Sequence, residues 1–150
     1  MRLIGLAVVL ALSFVLAPLA AEGQEPGKVY RIGVIWGAAP NTPVSQRNYQ
    51  AFDQGLRERG WVEGQNTIIE RRYAEGRAER HPDLATELVR LKVDVIVING
   101  APAALAAKQA TATIPIVAIA VSDPVGLGLV ASLSRPGGNI TGLATLFPEF

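Results

Sequence analysis

The 150-residue sequence has no cysteine and only one histidine, His81. Without thiols there is no disulfide framework, no Cys/His metal cluster and no cysteine nucleophile, and one imidazole does not make a zinc site. A Gly-x-Ser-x-Gly elbow is missing as well, which removes the usual serine-hydrolase arrangement. His81 stands directly before Pro82 at the start of an expected helix, far from any expected strand tip, and reads as a surface residue rather than a catalytic one. An excess of either charge is also lacking. Lys and Arg number 14 against 13 Asp and Glu, and without Arg2 the two counts are equal. A nucleic-acid partner needs a basic excess or stripe, and neither is present. The densest basic cluster, Arg71, Arg72, Arg77 and Arg80, is interleaved with Glu70, Glu75 and Glu79 and reads as a solvated face. There is no internal repeat.

Hydrophobic residues make up 49% of the chain, enough for one domain with a real core. The N-terminus is set apart. Met1-Arg2, the apolar run Leu3 to Leu16 and the small-residue end Ala17-Pro18-Leu19-Ala20-Ala21 have the three parts of a secretory signal. Residues 1–21 are therefore expected to be removed on export. The competing reading is a retained anchor, because Leu3 to Ala21 carries no charge and is just long enough to span a bilayer. Pro18, Gly5 and the small residues favour cleavage. No cysteine follows the run, so a lipid anchor on an N-terminal cysteine is excluded. Residues 22–28 read as a polar leader, and 29–145 as the folded unit.

Within that unit, strand and helix signals alternate. Val29 to Trp36 is rich in β-branched and aromatic residues and reads as a first strand, ending at the turn formers Gly37 to Pro43. Tyr49, Phe52 and Leu56 recur at helical spacing, predicting a helix from Val44 to Arg59 that Gly60 stops. Gly55 lies beside this stripe and suggests close approach of helix to sheet. Asn66 to Tyr73 reads as a second strand, and its charges place it at a sheet edge. A helix is expected over Pro82 to Leu91, then a third strand over Val93 to Ile98 whose two faces are both covered. Pro102 opens an alanine-rich helix to Ala112, and Ile114 to Val121 forms a fourth strand. After it come Ser122-Asp123-Pro124 and a helix expected over Gly126 to Leu133. Pro136 to Asn139 breaks the chain, and Ile140 to Thr145 reads as a short extended segment. Four strands alternating with helices predict an α/β, doubly wound parallel sheet in the order 2-1-3-4.

In such a sheet, ligands sit outside the carboxyl ends of the strands. Three turns should meet there. They carry Gly37, Ala38, Asn41 and Thr42 after the first strand, Asn99, Gly100, Ala101 and Pro102 after the third, and Ser122 and Asp123 after the fourth. Free N–H groups at these turns suit a carboxylate, the Asn and Ser side chains both donate and accept, and Asp123 suits an ammonium group. The set fits a zwitterion such as an amino acid. The competing reading is that Ser122 and Asp123 only cap the following helix. Gly126-x-Gly128-x-x-Ala131 matches a loose dinucleotide fingerprint, but after the fourth strand and without the acidic partner that such a site needs. Asn139-Ile140-Thr141 is formally a glycosylation sequon. No metal site and no cofactor are expected.

Asp123-Pro124-Val125-Gly126 with Gly128-Leu129-Val130, followed by Pro136-Gly137-Gly138-Asn139-Ile140-Thr141-Gly142, resembles a known family. So do Ile32-Gly33, Gly55-Leu56, Gly60-Trp61 with Gly64-Gln65-Asn66, Asp94-Val95-Ile96-Val97 and Ile114-Pro115-Ile116-Val117, in the same order and spacing. The family is that of the exported substrate-binding proteins of ABC transporters, in the group whose characterised members bind aromatic amino acids and related solutes. The resemblance implies one lobe of a type I periplasmic-binding-protein fold. It also implies a periplasmic, non-enzymatic protein that passes a small solute to a permease in the inner membrane. By matching position, the third-strand turn and Ser122-Asp123 carry this lobe's ligand contacts. Many relatives have a glycine-threonine pair after the third strand, where this sequence has Asn99-Gly100-Ala101-Pro102. Family members continue through a hinge into a second lobe that this chain lacks, so residues 146–150 read as the start of that segment. The alternatives are a periplasmic sensor or scaffold lobe that docks on a receptor or dimerises, a truncated transport component without function, and, third, a secreted enzyme.

Overall fold

The computed structural model describes residues 27–145. The expected signal segment, residues 1–21, and the expected hinge start, residues 146–150, lie outside the described residues. The elements follow in the order β1 (Tyr30–Trp36), α1 (Pro43–Glu58), β2 (Thr67–Tyr73), α2 (His81–Arg90), β3 (Val95–Asn99), α3 (Ala101–Ala110), β4 (Ile116–Val121) and β5 (Ile140–Ala144). One short 3-10 turn, Ala78–Arg80, precedes α2.

All five strands are parallel and pair in the order β2-β1-β3-β4-β5. The predicted order is thus found and extended, since the short segment at Ile140 joins the sheet as a full fifth strand. Right-handed crossovers decide which face each helix covers. The step from β1 back to β2 puts α1 on one face, and the later steps put α2 and α3 on the other. Tyr49, Phe52 and Leu56 of α1 pack on Ile32, Val34, Trp36 and Val97. Leu84, Ala85 and Leu88 of α2 and the alanines of α3 pack on Ile35, Ile96, Ile98, Ile116 and Val121. β3 is fully buried on the α2–α3 side, at Ile96 and Ile98, and only partly covered on the α1 side, where Val97 is 8% exposed and Val95 is half-buried. The α1 face has no second helix, so an apolar trough of about 340 Å³ stays open over β3 and β4, lined by Ile32, Phe52, Leu56, Val95, Val117 and Ile119.

Local chemistry accounts for the boundaries. Thr42 Oγ1 accepts from Ser45 N at 3.1 Å and caps α1, with Pro43 in the first turn. Gly60, at φ +83°, ends it, and the Trp61 N–H reaches back to Leu56 O at 2.9 Å. β2 carries its charges at the sheet edge, as predicted. Those charges are paired rather than free. Arg71 bonds Glu63 at 2.8 Å and Asp53 at 2.9 Å, Arg72 bonds Glu87 at 2.7 Å, and Arg31 of β1 bonds Glu70 at 2.8 Å.

Three expectations are corrected. The close approach of helix to sheet is not at Gly55, where an added Cβ would meet only the Arg59 guanidinium, at 3.9 Å. It is at Gly33 of β1, where a Cβ would meet Leu88 Cδ1 at 2.8 Å. His81 is buried, not on the surface, and its Nδ1 lies 2.8 Å from Ala78 O, which ties the 3-10 turn to α2. No helix forms over Gly126 to Leu133; the segment is a run of turns. Asp123 at φ 49° and Gly128 at φ 68° are in left-handed backbone, and glycine costs a helix about 1 kcal/mol relative to alanine. Turn bonds hold the segment instead. Gly128 N reaches Val125 O at 2.9 Å, Leu129 N reaches Pro124 O at 2.9 Å, and Lys108 Nζ donates to Gly128 O. Leu129, 4% exposed, pins it to the core.

Candidate functional site: the strand tips

The parallel pairing brings the carboxyl ends of β1, β3 and β4 to one edge. Ile35 is opposite Ile98, and Asn99 is opposite Ile119. Backbone bonds knit the loops that leave this edge. Gly100 N donates to Ile119 O at 3.0 Å, joining the third turn to β4, and Gly76 N donates to Gly37 O at 2.8 Å, joining the first turn to the loop after β2. The structure therefore assembles Gly37, Ala38, Asn41, Thr42, Asn99, Gly100, Ala101, Pro102, Ser122 and Asp123 along one rim.

Their side chains fall into two groups. Thr42 and Asp123 are engaged locally. Thr42 caps α1 and donates to Ser45 Oγ at 2.7 Å, while Asp123 Oδ1 accepts from Gly126 N at 2.8 Å and closes a tight turn. The capping expected of Asp123 is present, although it caps a turn instead of a helix, and Oδ2 remains outside that bond. Asn41, Asn99 and Ser122 are exposed, and none makes a side-chain hydrogen bond among the described residues. α3 starts at the same edge with Gly100, at φ 88°, as its N-cap, and no side chain caps its first N–H groups. Uncapped N–H groups at a helix start carry partial positive charge and favour a carboxylate. The rim thus has three free polar side chains that can donate, an uncapped helix start, and one carboxylate with a free oxygen.

Beneath the first loop lies an aromatic cluster. Trp36 and Tyr49 have ring centroids 4.5 Å apart, Tyr49 and Tyr73 are 5.6 Å apart, and Trp36 and Phe52 meet edge to face at 5.7 Å. Tyr49 Oη donates to Ala38 O at 2.9 Å and so anchors the loop that carries Asn41. In the sequence Tyr49 reads only as part of a helix stripe, and no local signal marks its second task. Burial raises the Tyr73 phenol above its ordinary pKa, which keeps it neutral. Hollows on the α1 face, between α1 and the β2 edge, and beneath the β4–β5 loop all lie away from the rim, which is an open edge rather than a closed pocket. Without a helix after Gly126 the dinucleotide fingerprint has no phosphate-binding element. Among the described residues no cluster of His, Asp or Glu is arranged to hold a metal, and no helix is long and apolar enough to cross a membrane.

A doubly wound parallel sheet in this strand order, with its helices on both faces, has the architecture of one lobe of a periplasmic-binding-protein fold. The chain belongs to the ABC transporter substrate binding protein family, whose pattern matches residues 40–148. It is similar to a tyrosine-binding protein of Clostridioides difficile (strain R20291), with 37% identity over 100 residues that make up 67% of this chain and 29% of that protein. Its fold is similar to a conserved domain protein of Vibrio cholerae (TM-score 0.74, 36% identity, 81% of this chain and 40% of that one). It is similar too to an ABC domain from Streptococcus pneumoniae in complex with L-Trp (TM-score 0.70, 31% identity, 78% of this chain and 39% of that one). The chain spans well under half the length of these relatives.

Proposed function

We propose that this lobe binds a small zwitterionic solute, an amino acid or a close relative, at the rim formed by the tips of β1, β3 and β4. The observation that carries this reading is the set of free polar groups Asn41, Asn99 and Ser122 beside the uncapped start of α3. A solute carboxylate is held by the first N–H groups of α3 and by the amide of Asn99. Its ammonium group is held by Ser122 Oγ and Asp123 Oδ2, a charge-assisted pair. The relatives named for tyrosine binding and for a complex with L-Trp support an aromatic side chain on that solute. The protein acts outside the cytoplasm, after export and removal of residues 1–21, as the binding component of an importer that delivers solute to an inner-membrane permease. A second lobe completes the site by closing over the rim.

The test is thermal shift and calorimetry with L-tyrosine and L-tryptophan against a sugar and a dicarboxylate. The expected result is a saturable response to the amino acids alone, lost in the Asn99→Ala/Ser122→Ala double variant. A folded chain that responds to none of them, or a double variant that responds as well as the parent, refutes the proposal. Strong self-association without any solute response would instead favour a docking lobe.

A further inference from the structure

We infer that Ala120 is a positioning residue for this site, one extra residue in β4 that determines where Ser122 stands; the inference rests on the solute-binding reading above. Ile116 and Ala118 face the α2–α3 core, and Val117 and Ile119 face α1. Regular alternation would next send residue 120 to the α2–α3 side and Val121 to the α1 side. Instead Val121 packs into the α2–α3 core at 2% exposure, and Ala120 is exposed. The register against β5 shifts between Ile119 and Val121. One residue has been inserted, and it sits at φ 55°, left-handed backbone that ordinarily falls to glycine.

The irregularity is held from both flanks. On the β3 side the Gly100 N–H bonds Ile119 O at 3.0 Å, and on the β5 side the Thr145 N–H bonds Val121 O at 3.1 Å. Just before it, Gly142 of β5 approaches so closely that a Cβ there would lie 1.8 Å from Ala118 O. A strained residue persists only where its surroundings over-determine it, and such residues gather at binding sites. The consequence here is directional. With the insertion, residue 122 takes the strand parity of the α1 side, the side of the first loop with Asn41 and its anchor Tyr49. With Ala120 in regular strand backbone instead, Val121 would turn to the α1 side and the serine to the side of the α2–α3 core, and its hydroxyl would leave the rim.

The test uses the whole chain with L-tyrosine and L-tryptophan as probes. Ala120→Gly and Ala120→Asn both tolerate left-handed backbone and should hold affinity within about twofold. Ala120→Val, β-branched and disfavoured there, should weaken binding about tenfold or more, the worth of one hydrogen bond to a charged group. In a Ser122→Ala background the same Ala120→Val change should have little further effect, because the two residues act through one contact. If Ala120→Val does not fold, Ala120→Thr, β-branched but smaller in its demand for an apolar setting, takes its place. A folded valine or threonine variant that binds like the parent, or effects of residues 120 and 122 that simply add, overturns the inference while leaving the solute-binding reading standing. A parent chain with no saturable response to either probe overturns both.

Discussion

Replacing Gly142 with alanine tests the central claim about the sheet, that β5 is pressed against β4 and holds the end of that strand in place. A Cβ at residue 142 would stand 1.8 Å from Ala118 O, 2.7 Å from its carbonyl carbon and 2.8 Å from its nitrogen. All three are backbone atoms of a paired strand, so no side chain can turn aside to make room. To reach even a tight contact β5 must retreat by about 1.2 Å, which stretches ladder bonds of about 2.9 Å beyond hydrogen-bonding range. The backbone at φ 154° adds strain for any L side chain, about 1–3 kcal/mol. With about 1–3 kcal/mol for the forced contact, the expected loss is about 2–6 kcal/mol. Urea unfolding followed by far-UV circular dichroism measures it. With a slope of about 1.5 kcal/mol/M for a domain of this size, the midpoint should fall by about 1.3–4 M. The control is Gly138→Ala, where nothing lies within 4 Å of the added Cβ and the backbone is not left-handed; its midpoint should be unchanged or slightly raised. Equal midpoints for the two variants would refute the close pairing of β5 with β4.

Gly33→Ala pushes against Leu88 Cδ1 at 2.8 Å, the end of a side chain that can shift, so it should cost about 1–3 kcal/mol and lower the thermal midpoint less than Gly142→Ala does. The side-chain hydrogen bond from Arg71 holds the Glu63 carboxyl below the ordinary carboxylate range. The stabilisation this gives is present above the unfolded-state pKa and is lost as pH falls through the lower folded value. Glu63→Gln should therefore cost under about 1 kcal/mol at pH 7, because the pair is partly exposed, and should flatten the acid limb of the stability profile; an unchanged limb would refute the pairing. Asn139 Nδ2 donates to Ile114 O at 2.8 Å and Thr111 O at 3.2 Å, so Asn139→Ala should destabilise by about 1–3 kcal/mol. For the same reason the sequon at Asn139 should stay unglycosylated in the folded protein when a eukaryotic host secretes it, as mass spectrometry would show.

Much of the architecture is legible in the residues because it rests on local rules. The valines and isoleucines of β3, the spacing of Tyr49, Phe52 and Leu56 in α1, and the charges of β2 each predict an element and its neighbourhood, and the parallel order follows from crossover handedness. The candidate rim follows too, since parallel strands must end on one edge. Where these rules meet a competing local effect they fail. Two glycines and a left-handed Asp123 replace the helix expected after β4 with turns. His81 looks exposed beside a proline, yet it is buried because its ring finds Ala78 O.

Other features depend on which residues meet across the chain, and no spacing encodes that. Ile116 to Val121 is an apolar run in which an inserted Ala120 looks like any other member, and the insertion shows only when the register against β5 slips. Gly33, not Gly55, bears the helix because Leu88 lies 55 residues away in sequence and arrives only through the α2 crossover. Composition and periodicity thus determined the four main strands, the three helices that form and the common edge where the strands end. Long-range packing alone decided which polar groups on that edge are left free, because a hydrogen bond is satisfied or unsatisfied only once its partners are brought together.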